Sequence, residues 1–156
     1  RYILLGEDRV HWELYSQYSE NPFRNYQKRS VLGLGMRILL SDTARLGIGV
    51  LKEDEKDLGG LTAKTDRLGL YLRDLKEVGE NINFHSTLYL QPSIENFDND
   101  YKASIILGLD FNVNKNLKIT VQYSSFHDSS PPRLAEKTDE SLATKFSYDL
   151  STLWKD

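Results

Sequence analysis

The residue types that could support catalysis stand together in one short segment, His127-Asp128-Ser129, with Glu140 further along the chain. A histidine activates a serine hydroxyl as a nucleophile when a carboxylate orients its ring. However, Ser129 is followed by Ser130-Pro131-Pro132, which is typical of a loop, whereas catalytic side chains need rigid positioning. We therefore favour a polar loop without catalytic residues, and we keep His127, Ser129 and Glu140 as the set that a hydrolase would use.

Metal and cofactor chemistry has little support in the sequence. The histidines His11, His85 and His127 show no ligand-like spacing, and the chain has no cysteine to supply thiolate ligands. The acidic stretch at 52–57 (KEDEKD) could attract divalent cations, but its interspersed lysines are more typical of a solvated loop. We predict no cofactor and no metal site.

Isolated charges of both signs occur within segments that otherwise alternate apolar and small or polar residues. A barrel with a polar interior places such charges on its inner face. We predict that the following seven line a lumen: Glu13, Arg37, Arg73, Lys102, Asp110, Lys118 and Lys145.

Arginines on an inner face could also form a channel constriction, because rings of charge set ion selectivity. Arg24, Arg37 and Arg73 are available for this role. The alternative is a filled interior without a pore, in which carboxylates neutralise the arginines. The carboxylates available for that are Glu13, Asp110 and Asp149.

Strands must position all of these residues, because apolar side chains recur with a period of two along most of the chain. The alternation is clear at 32–40, 46–50 and 103–109. We count nine strands, including a short one at Arg1–Leu5. No apolar run of about 18 residues exists that would form a transmembrane helix. The predicted fold is therefore all-β and antiparallel.

The connections between the predicted strands alternate between tight and long. The tight connections are Gly6–Arg9, Ser41–Thr43, Val78–Asn81 and Asn112–Asn116. The long connections are Glu20–Tyr26, Asp54–Thr65, Gln91–Asp100 and His127–Asp139. Bacterial outer-membrane barrels have this order because their periplasmic turns are short and their extracellular loops are long. The pattern predicts an antiparallel up-and-down transmembrane β-barrel.

A soluble barrel with an apolar interior would show the same alternation, so two further features decide the orientation. Glycines within strands weaken a solvated strand but leave room in a narrow lumen. On the polar face they are Gly33, Gly35, Gly47, Gly49, Gly69 and Gly108. Aromatic residues toward strand ends are typical of interfacial girdles. They are Trp12, Tyr18, Phe23, Tyr89, Tyr101, Phe111, Tyr123 and Tyr148. Both features favour lipid outside the barrel.

The strand count indicates an incomplete barrel, because bacterial single-chain barrels have an even number of strands. We interpret residues 1–156 as one barrel domain, the C-terminal portion of a larger barrel with further strands upstream of Arg1. The net charge of −3 and the scattered basic residues do not indicate nucleic-acid binding.

Several segments resemble a known bacterial family. Asn21–Asn25 (NPFRN) and Gly33–Arg37 (GLGMR) are similar to its central part. Tyr123–Arg133, Thr138-Asp139 and the strand ending Phe146–Leu150 are similar to its C-terminal part. The family is that of the salt-induced outer membrane proteins, exported β-barrels without an agreed activity. The resemblance implies a location in the bacterial outer membrane.

We predict a non-enzymatic outer-membrane barrel with a structural, envelope-stress or assembly-subunit role, or a narrow pore. Its expected partners are outer-membrane lipids and lipopolysaccharide and, in an assembly, other envelope proteins, with no nucleic acid. Two alternatives stay open. One is a hydrolase, since the His-x-Ser pair and Glu140 resemble those of the outer-membrane lipid A deacylases. The other is a soluble β-barrel that binds a small apolar ligand.

Overall fold

The computed structural model describes residues 2–7, 9–21, 26–133 and 135–149, which form one antiparallel sheet of nine strands in chain order. The strands are β1 (Tyr2–Glu7), β2 (Val10–Asn21), β3 (Tyr26–Leu39), β4 (Ala44–Asp57), β5 (Thr62–Gly79), β6 (Ile82–Pro92), β7 (Tyr101–Asn112), β8 (Leu117–Asp128) and β9 (Thr138–Tyr148). The predicted all-β fold of nine antiparallel strands is confirmed. In this part of the chain there is no helix that could cross a membrane.

The register between strands keeps two chemically different faces separate across the sheet. Leu34 of β3 lies opposite Val50 of β4, and Gly35 lies opposite Gly49. Because side chains alternate between the faces of a strand, this pairing continues one apolar face and one polar face from strand to strand. The six in-strand glycines predicted for the polar face all lie on it.

The apolar face is the exposed face of this sheet. Leu34, Val50 and Leu90 are 47%, 56% and 41% exposed, whereas Glu13, Glu53 and Arg67 on the other face are 5%, 4% and 4% exposed. Water-soluble domains have the opposite distribution, because burying charges is unfavourable unless they are paired. The sheet therefore shields its charges and leaves its large hydrophobic side chains uncovered.

The sheet bends toward the polar face. The Lys102 Nζ of β7 lies 3.1 Å from the Glu53 Oε1 of β4, and the Tyr71 hydroxyl of β5 donates to Glu13 of β2 at 2.7 Å. Each contact spans three strand spacings, about 14 Å in a flat sheet, which the side chains bridge only if the sheet curves. Gly47 permits part of this bend, because any Cβ there would overlap the ring of Tyr71.

The described sheet has two open edges. β1 and β9 are its outermost strands, and the described residues form no pairing between them. Nearly every residue of β9 is exposed. An open edge presents unpaired backbone N–H and C=O groups, so closure into a barrel remains a prediction rather than an observed feature.

The long connection predicted at Asp54–Thr65 is wrong. β4 continues to Asp57 and β5 begins at Thr62, so the connection is the turn at 58–61. The backbone N–H of Gly60, whose φ is 89°, donates to the Asp57 carbonyl at 3.1 Å. The period of two continues through this region, but the outward positions are Lys52, Asp54 and Lys56, so the apolar signal disappears although the strand does not end.

The predicted alternation of tight and long connections holds only in part. One end of the sheet has the connections 8–9, 40–43, 80–81 and 113–116. The other end has 22–25, 58–61, 93–100 and 129–137, of which only the last two are long.

The aromatic prediction also needs a correction. Tyr89 lies on the polar face, where its ring centroid is 5.8 Å from that of Tyr71, and so does not belong to an outer girdle. Trp12, Tyr18 and Tyr148 are exposed, as a girdle requires. Phe23 and most of the Asn21–Asn25 motif lie outside the described residues.

Candidate functional site

A group of charged side chains at one end of the polar face surrounds Glu53. We call it the Glu53 cluster. Its members are Arg29 on β3, Glu53 and Glu55 on β4, Arg67 on β5, Asp100 just before β7, Lys102 on β7 and Asp128 on β8. Because these strands are spread over most of the sheet, the cluster ties together segments that are distant in sequence.

Glu53 is the centre of the cluster and contacts three cations. Its Oε1 contacts the Arg29 Nε and lies 3.1 Å from the Lys102 Nζ, and its Oε2 contacts the Arg67 Nε. Charge-assisted hydrogen bonds of this kind are the strong ones in proteins, and they satisfy both oxygens of a buried carboxylate. Glu53 is therefore compensated despite its burial.

The cations of the cluster are shared with further carboxylates. The Lys102 Nζ lies 2.8 Å from the Glu55 Oε2 and 3.3 Å from the Asp128 Oδ2. The Arg67 Nη2 lies 3.0 Å from the Asp100 Oδ1. A network of this kind holds each side chain in one position, so the strands around it are fixed relative to one another.

The neighbours of Glu53 shift its proton affinity strongly. Glu53 stands beyond the outward apolar stretch of β4, at the level where the outward residues are Lys52 and Asp54. Burial by itself raises the pKa of Glu53, but the charges of Lys102, Arg29 and Arg67 outweigh burial and lower the pKa to about 2. The carboxylate is ionised at any ordinary pH.

A second network lies at the glycine-rich part of the polar face. Glu13 of β2 pairs with Arg37 of β3 and accepts a hydrogen bond from the Tyr71 hydroxyl at 2.7 Å. The Arg37 Nε also lies 3.4 Å from that hydroxyl oxygen. Glu13 thus neutralises Arg37, as the filled-interior alternative requires.

The carboxylate of Asp110 has partners other than the arginines. Its Oδ2 lies 3.4 Å from the His85 Nδ1 and 4.0 Å from the Lys118 Nζ, and its Oδ1 accepts a hydrogen bond from Thr120. Among the described residues Asp110 forms no ion pair with Arg37 or Arg73, and it belongs instead to a third network on the same face.

All seven charges predicted to line a lumen lie on the polar face. Five of them contact one of the networks described above. Of the other two, Lys145 donates to the Gln122 Oε1 at 3.0 Å, and Arg73 lies exposed on β5. Arg24, the third arginine of the proposed constriction, lies outside the described residues.

The three residues of the hydrolase hypothesis have separate partners. The Ser129 hydroxyl donates to the Asn99 carbonyl at 2.9 Å and accepts the Tyr101 N–H at 2.8 Å. The His127 Nδ1 is 2.9 Å from the Thr138 Oγ1. Glu140 accepts a hydrogen bond from the Tyr123 hydroxyl at 2.8 Å. The structure does not assemble these side chains into a nucleophile–base–carboxylate arrangement.

Replacement of Ser129 with alanine is expected to loosen the loop between β8 and β9 and to leave lipid A unchanged. The variant loses two hydrogen bonds that hold this loop to the segment before β7, each worth about 1 kcal/mol. Limited proteolysis should cut the loop faster than in the wild type or in the neighbouring control Ser130→Ala. Mass spectrometry of lipid A provides the second readout, and a deacylation that depends on Ser129 would overturn the loop interpretation.

The acidic stretch has a different environment from the solvated loop that its sequence predicts. Glu53 and Glu55 turn to the polar face and enter the ion pairs, whereas Asp54 points outward and pairs with Lys64 at 3.7 Å. No three His, Asp or Glu side chains within the described ranges are grouped so that they could hold a metal ion. Glu53 and Glu55 therefore have an ionic role on the polar face, whereas Asp54 stays at the surface.

Sequence reasoning missed most of the Glu53 cluster. Of its members only Lys102 was among the predicted inner charges, and Arg29, Glu53 and Arg67 were not. The signal was available in the alternation itself: Leu51, Glu53 and Glu55 continue the inward positions of β4. The acidic composition of 52–57 hid that continuation.

The fold and the ion pairs define a class: an antiparallel β-sheet protein with networks of paired charges on one face and exposed apolar side chains on the other. A family model described as "Protein of unknown function, DUF481" matches residues 1–150, so the chain belongs to that family. No curated protein and no solved structure matches the chain.

Proposed function

We propose that this chain forms the wall of a transmembrane β-barrel in a bacterial outer membrane. The observation that carries the proposal is the inverted burial of the sheet: Leu34 and Val50 are exposed, whereas Glu13 and Glu53 are buried. In water this arrangement would leave a large apolar surface uncovered, which soluble monomers avoid. In a bilayer, the same surface faces lipid chains and the charges stay inside.

The lengths of the outward apolar stretches support the same environment. On β3 the outward residues are apolar from Leu32 to Leu40, and on β7 they are apolar or aromatic from Tyr101 to Phe111. A tilted barrel strand needs roughly 9–11 residues to cross the hydrocarbon core. Both stretches have this length, and the outward residues Lys28 and Ser30, which precede the stretch on β3, are polar.

The role that the polar face favours is structural rather than catalytic. The Glu53 cluster and the Glu13–Arg37 pair occupy the inner surface with compensated charges, which stiffens the wall and narrows any passage. The open edges of β1 and β9 need partners, since unpaired strand edges in lipid are strongly unfavourable. Those partners are further strands of the same barrel or another envelope protein.

The resemblance to an outer-membrane family agrees with this proposal. We infer that the chain is a salt-induced outer membrane protein, with outer-membrane lipids and lipopolysaccharide around its apolar face. The soluble alternative needs an apolar interior, and the enclosed face of this sheet is polar. The deacylase alternative needs a serine free to react, and Ser129 has two backbone partners.

Cell fractionation of the full-length protein tests the proposal. We expect the protein in outer membranes after a carbonate wash, with a gel mobility that changes on boiling, because a folded barrel resists detergent until it is heated. A soluble periplasmic protein processed in parallel is the control for trapping in vesicles. Release into the soluble fraction without detergent would contradict the proposal.

A further inference from the structure

The polar face contains a cavity of about 260 Å³ between the Glu53 cluster and the loop that joins β8 to β9. Its lining includes six uncharged side chains that are polar or aromatic. They are Tyr15, Gln17, Tyr89, Gln91, Ser104 and Phe126. Small-molecule sites usually have volumes of roughly 300–1,000 Å³ and combine aromatic walls with a few polar groups. This cavity has that composition, and its volume is just below that range.

The loop after β8 forms one wall of the cavity. Pro131, Pro132 and Ala135 line it, and Ser129 holds the base of the loop to the Asn99 carbonyl at 2.9 Å. The Ser129 N–H also donates to the Tyr101 carbonyl at 3.0 Å. Because the loop is anchored, the cavity is a preformed site, which lowers the entropic cost of binding.

Five charged side chains border the cavity, and four of them, Arg29, Glu55, Lys102 and Asp128, are in ion pairs. The fifth, Glu136, is exposed in the loop after β8. Lys102 contacts Glu55 at 2.8 Å and Asp128 at 3.3 Å, and Arg29 contacts Glu53. An anion or a cation would have to compete with these ion pairs, and breaking a buried pair costs several kcal/mol. The electrostatics therefore favour a ligand without net charge.

The uncharged lining indicates what kind of neutral ligand fits. Glutamine amides both donate and accept hydrogen bonds, as hydroxyl groups do, so Gln91 matches a ligand rich in hydroxyls. The Gln17 Oε1 accepts a hydrogen bond from the Tyr15 hydroxyl, so Gln17 would contribute its amide NH2 group as a donor. The rings of Tyr15, Tyr89 and Phe126 offer flat apolar surfaces for the C–H faces of such a ligand. Both features together suit a sugar ring better than a purely apolar molecule.

We propose that this cavity binds a small neutral polyhydroxylated compound, the size of a monosaccharide. The inference does not depend on the proposed membrane location, because it concerns only the enclosed polar face. It also gives Ser129 and the two prolines a role that the hydrolase hypothesis did not supply: they position the wall of a binding site.

Saturation-transfer difference NMR with D-glucose on the detergent-solubilised full-length protein tests this proposal. We expect saturable binding that is about tenfold weaker in Gln91→Ala, the loss that corresponds to one good hydrogen bond. Gln122→Ala is the matched control, because Gln122 lies on the same face of β8 outside the cavity. Ser104→Leu is a second variant, expected to abolish binding by filling the cavity from β7.

The folded state of each variant is checked by its β-sheet circular dichroism spectrum, which does not presuppose a membrane barrel, so that a loss of folding is not read as a loss of binding. Absence of a saturable D-glucose signal in the folded wild type would overturn the proposal. So would equal binding in wild type and both cavity variants. Displacement of D-glucose by tetramethylammonium or inorganic phosphate at lower concentration than by other sugars would show a charged ligand instead, which also overturns it.

Discussion

Replacing Glu53 with glutamine is expected to destabilise the folded protein by about 3–5 kcal/mol, the range for removing one partner of a buried ion pair. The glutamine keeps the size of the side chain but loses its negative charge. Arg29, Arg67 and Lys102 then stand around a neutral amide with only the outer carboxylates to compensate them. Unfolding in urea, followed by gel mobility in detergent micelles, measures the loss.

The matched control is Asp54→Asn, which changes the next residue along the same strand. Asp54 points outward and its side chain is 58% exposed. The side chain of its partner Lys64 is 80% exposed. Exposed ion pairs contribute about 0–1 kcal/mol, so this variant should unfold at nearly the wild-type urea concentration. Equal effects of the two substitutions would show that the Glu53 cluster does not stabilise the sheet.

The same pair of variants separates a pH effect of Glu53 from general acid unfolding. The pKa of Glu53 is lowered to about 2 in the folded protein from an ordinary value of 4.5. Its ionisation therefore contributes stability that is complete above pH 4.5 and is lost as the pH falls toward 2. The wild type and Asp54→Asn should lose stability across this interval more steeply than Glu53→Gln, which has no carboxyl group to titrate at that position.

The strands could be predicted from the sequence because their signal is local. Alternation within 32–40 or 103–109 is contained in a single strand, and hairpin connections pair each strand with the next. The face on which each predicted inner charge lies could be predicted as well, because successive side chains of a strand point to opposite faces of the sheet. Arg37 and Lys102 both lie on the face that this reasoning gave them.

The site could not be predicted to the same extent because its contacts depend on curvature. Lys102 and Glu53 are separated by two intervening strands, and only the bend of the sheet brings their side chains together. Tyr71 reaches Glu13 for the same reason, across strands whose glycines leave its ring enough room. No pattern within one strand encodes how far a sheet bends, although the glycines on the polar face indicate where it can.

The end of β4 shows a second limit of sequence reasoning. Alternation along a strand is recognised in a sequence when every second residue is apolar. That pattern ends where the strand continues past its outward apolar residues. Lys52 and Asp54 take the outward positions there, and the strand reads as a charged loop. Strands that extend beyond a membrane would be underestimated in the same way, which is consistent with the proposed location.

Substitution of Leu34 with arginine is expected to prevent stable insertion into lipid vesicles, with a loss of about 2–4 kcal/mol if it falls near the bilayer midplane. Leu34 lies inside the outward apolar stretch of β3, between Leu32 and Met36, and it is 47% exposed. In a bilayer the guanidinium would have to leave water or distort the lipid around it. Refolding from urea into phosphatidylcholine vesicles, followed by gel mobility, measures the effect.

The matched control is Leu61→Arg. Leu61 is also exposed, at 68%, but it lies in the turn between β4 and β5, outside the outward apolar stretches of the strands. A membrane barrel should insert into the vesicles with arginine at position 61 and should not insert with arginine at position 34. A protein that keeps its apolar face in water should tolerate both, since each change would replace an exposed apolar side chain with a hydrated one. The difference in vesicle insertion between the two variants therefore shows whether the apolar face contacts lipid or water, and no activity has to be measured.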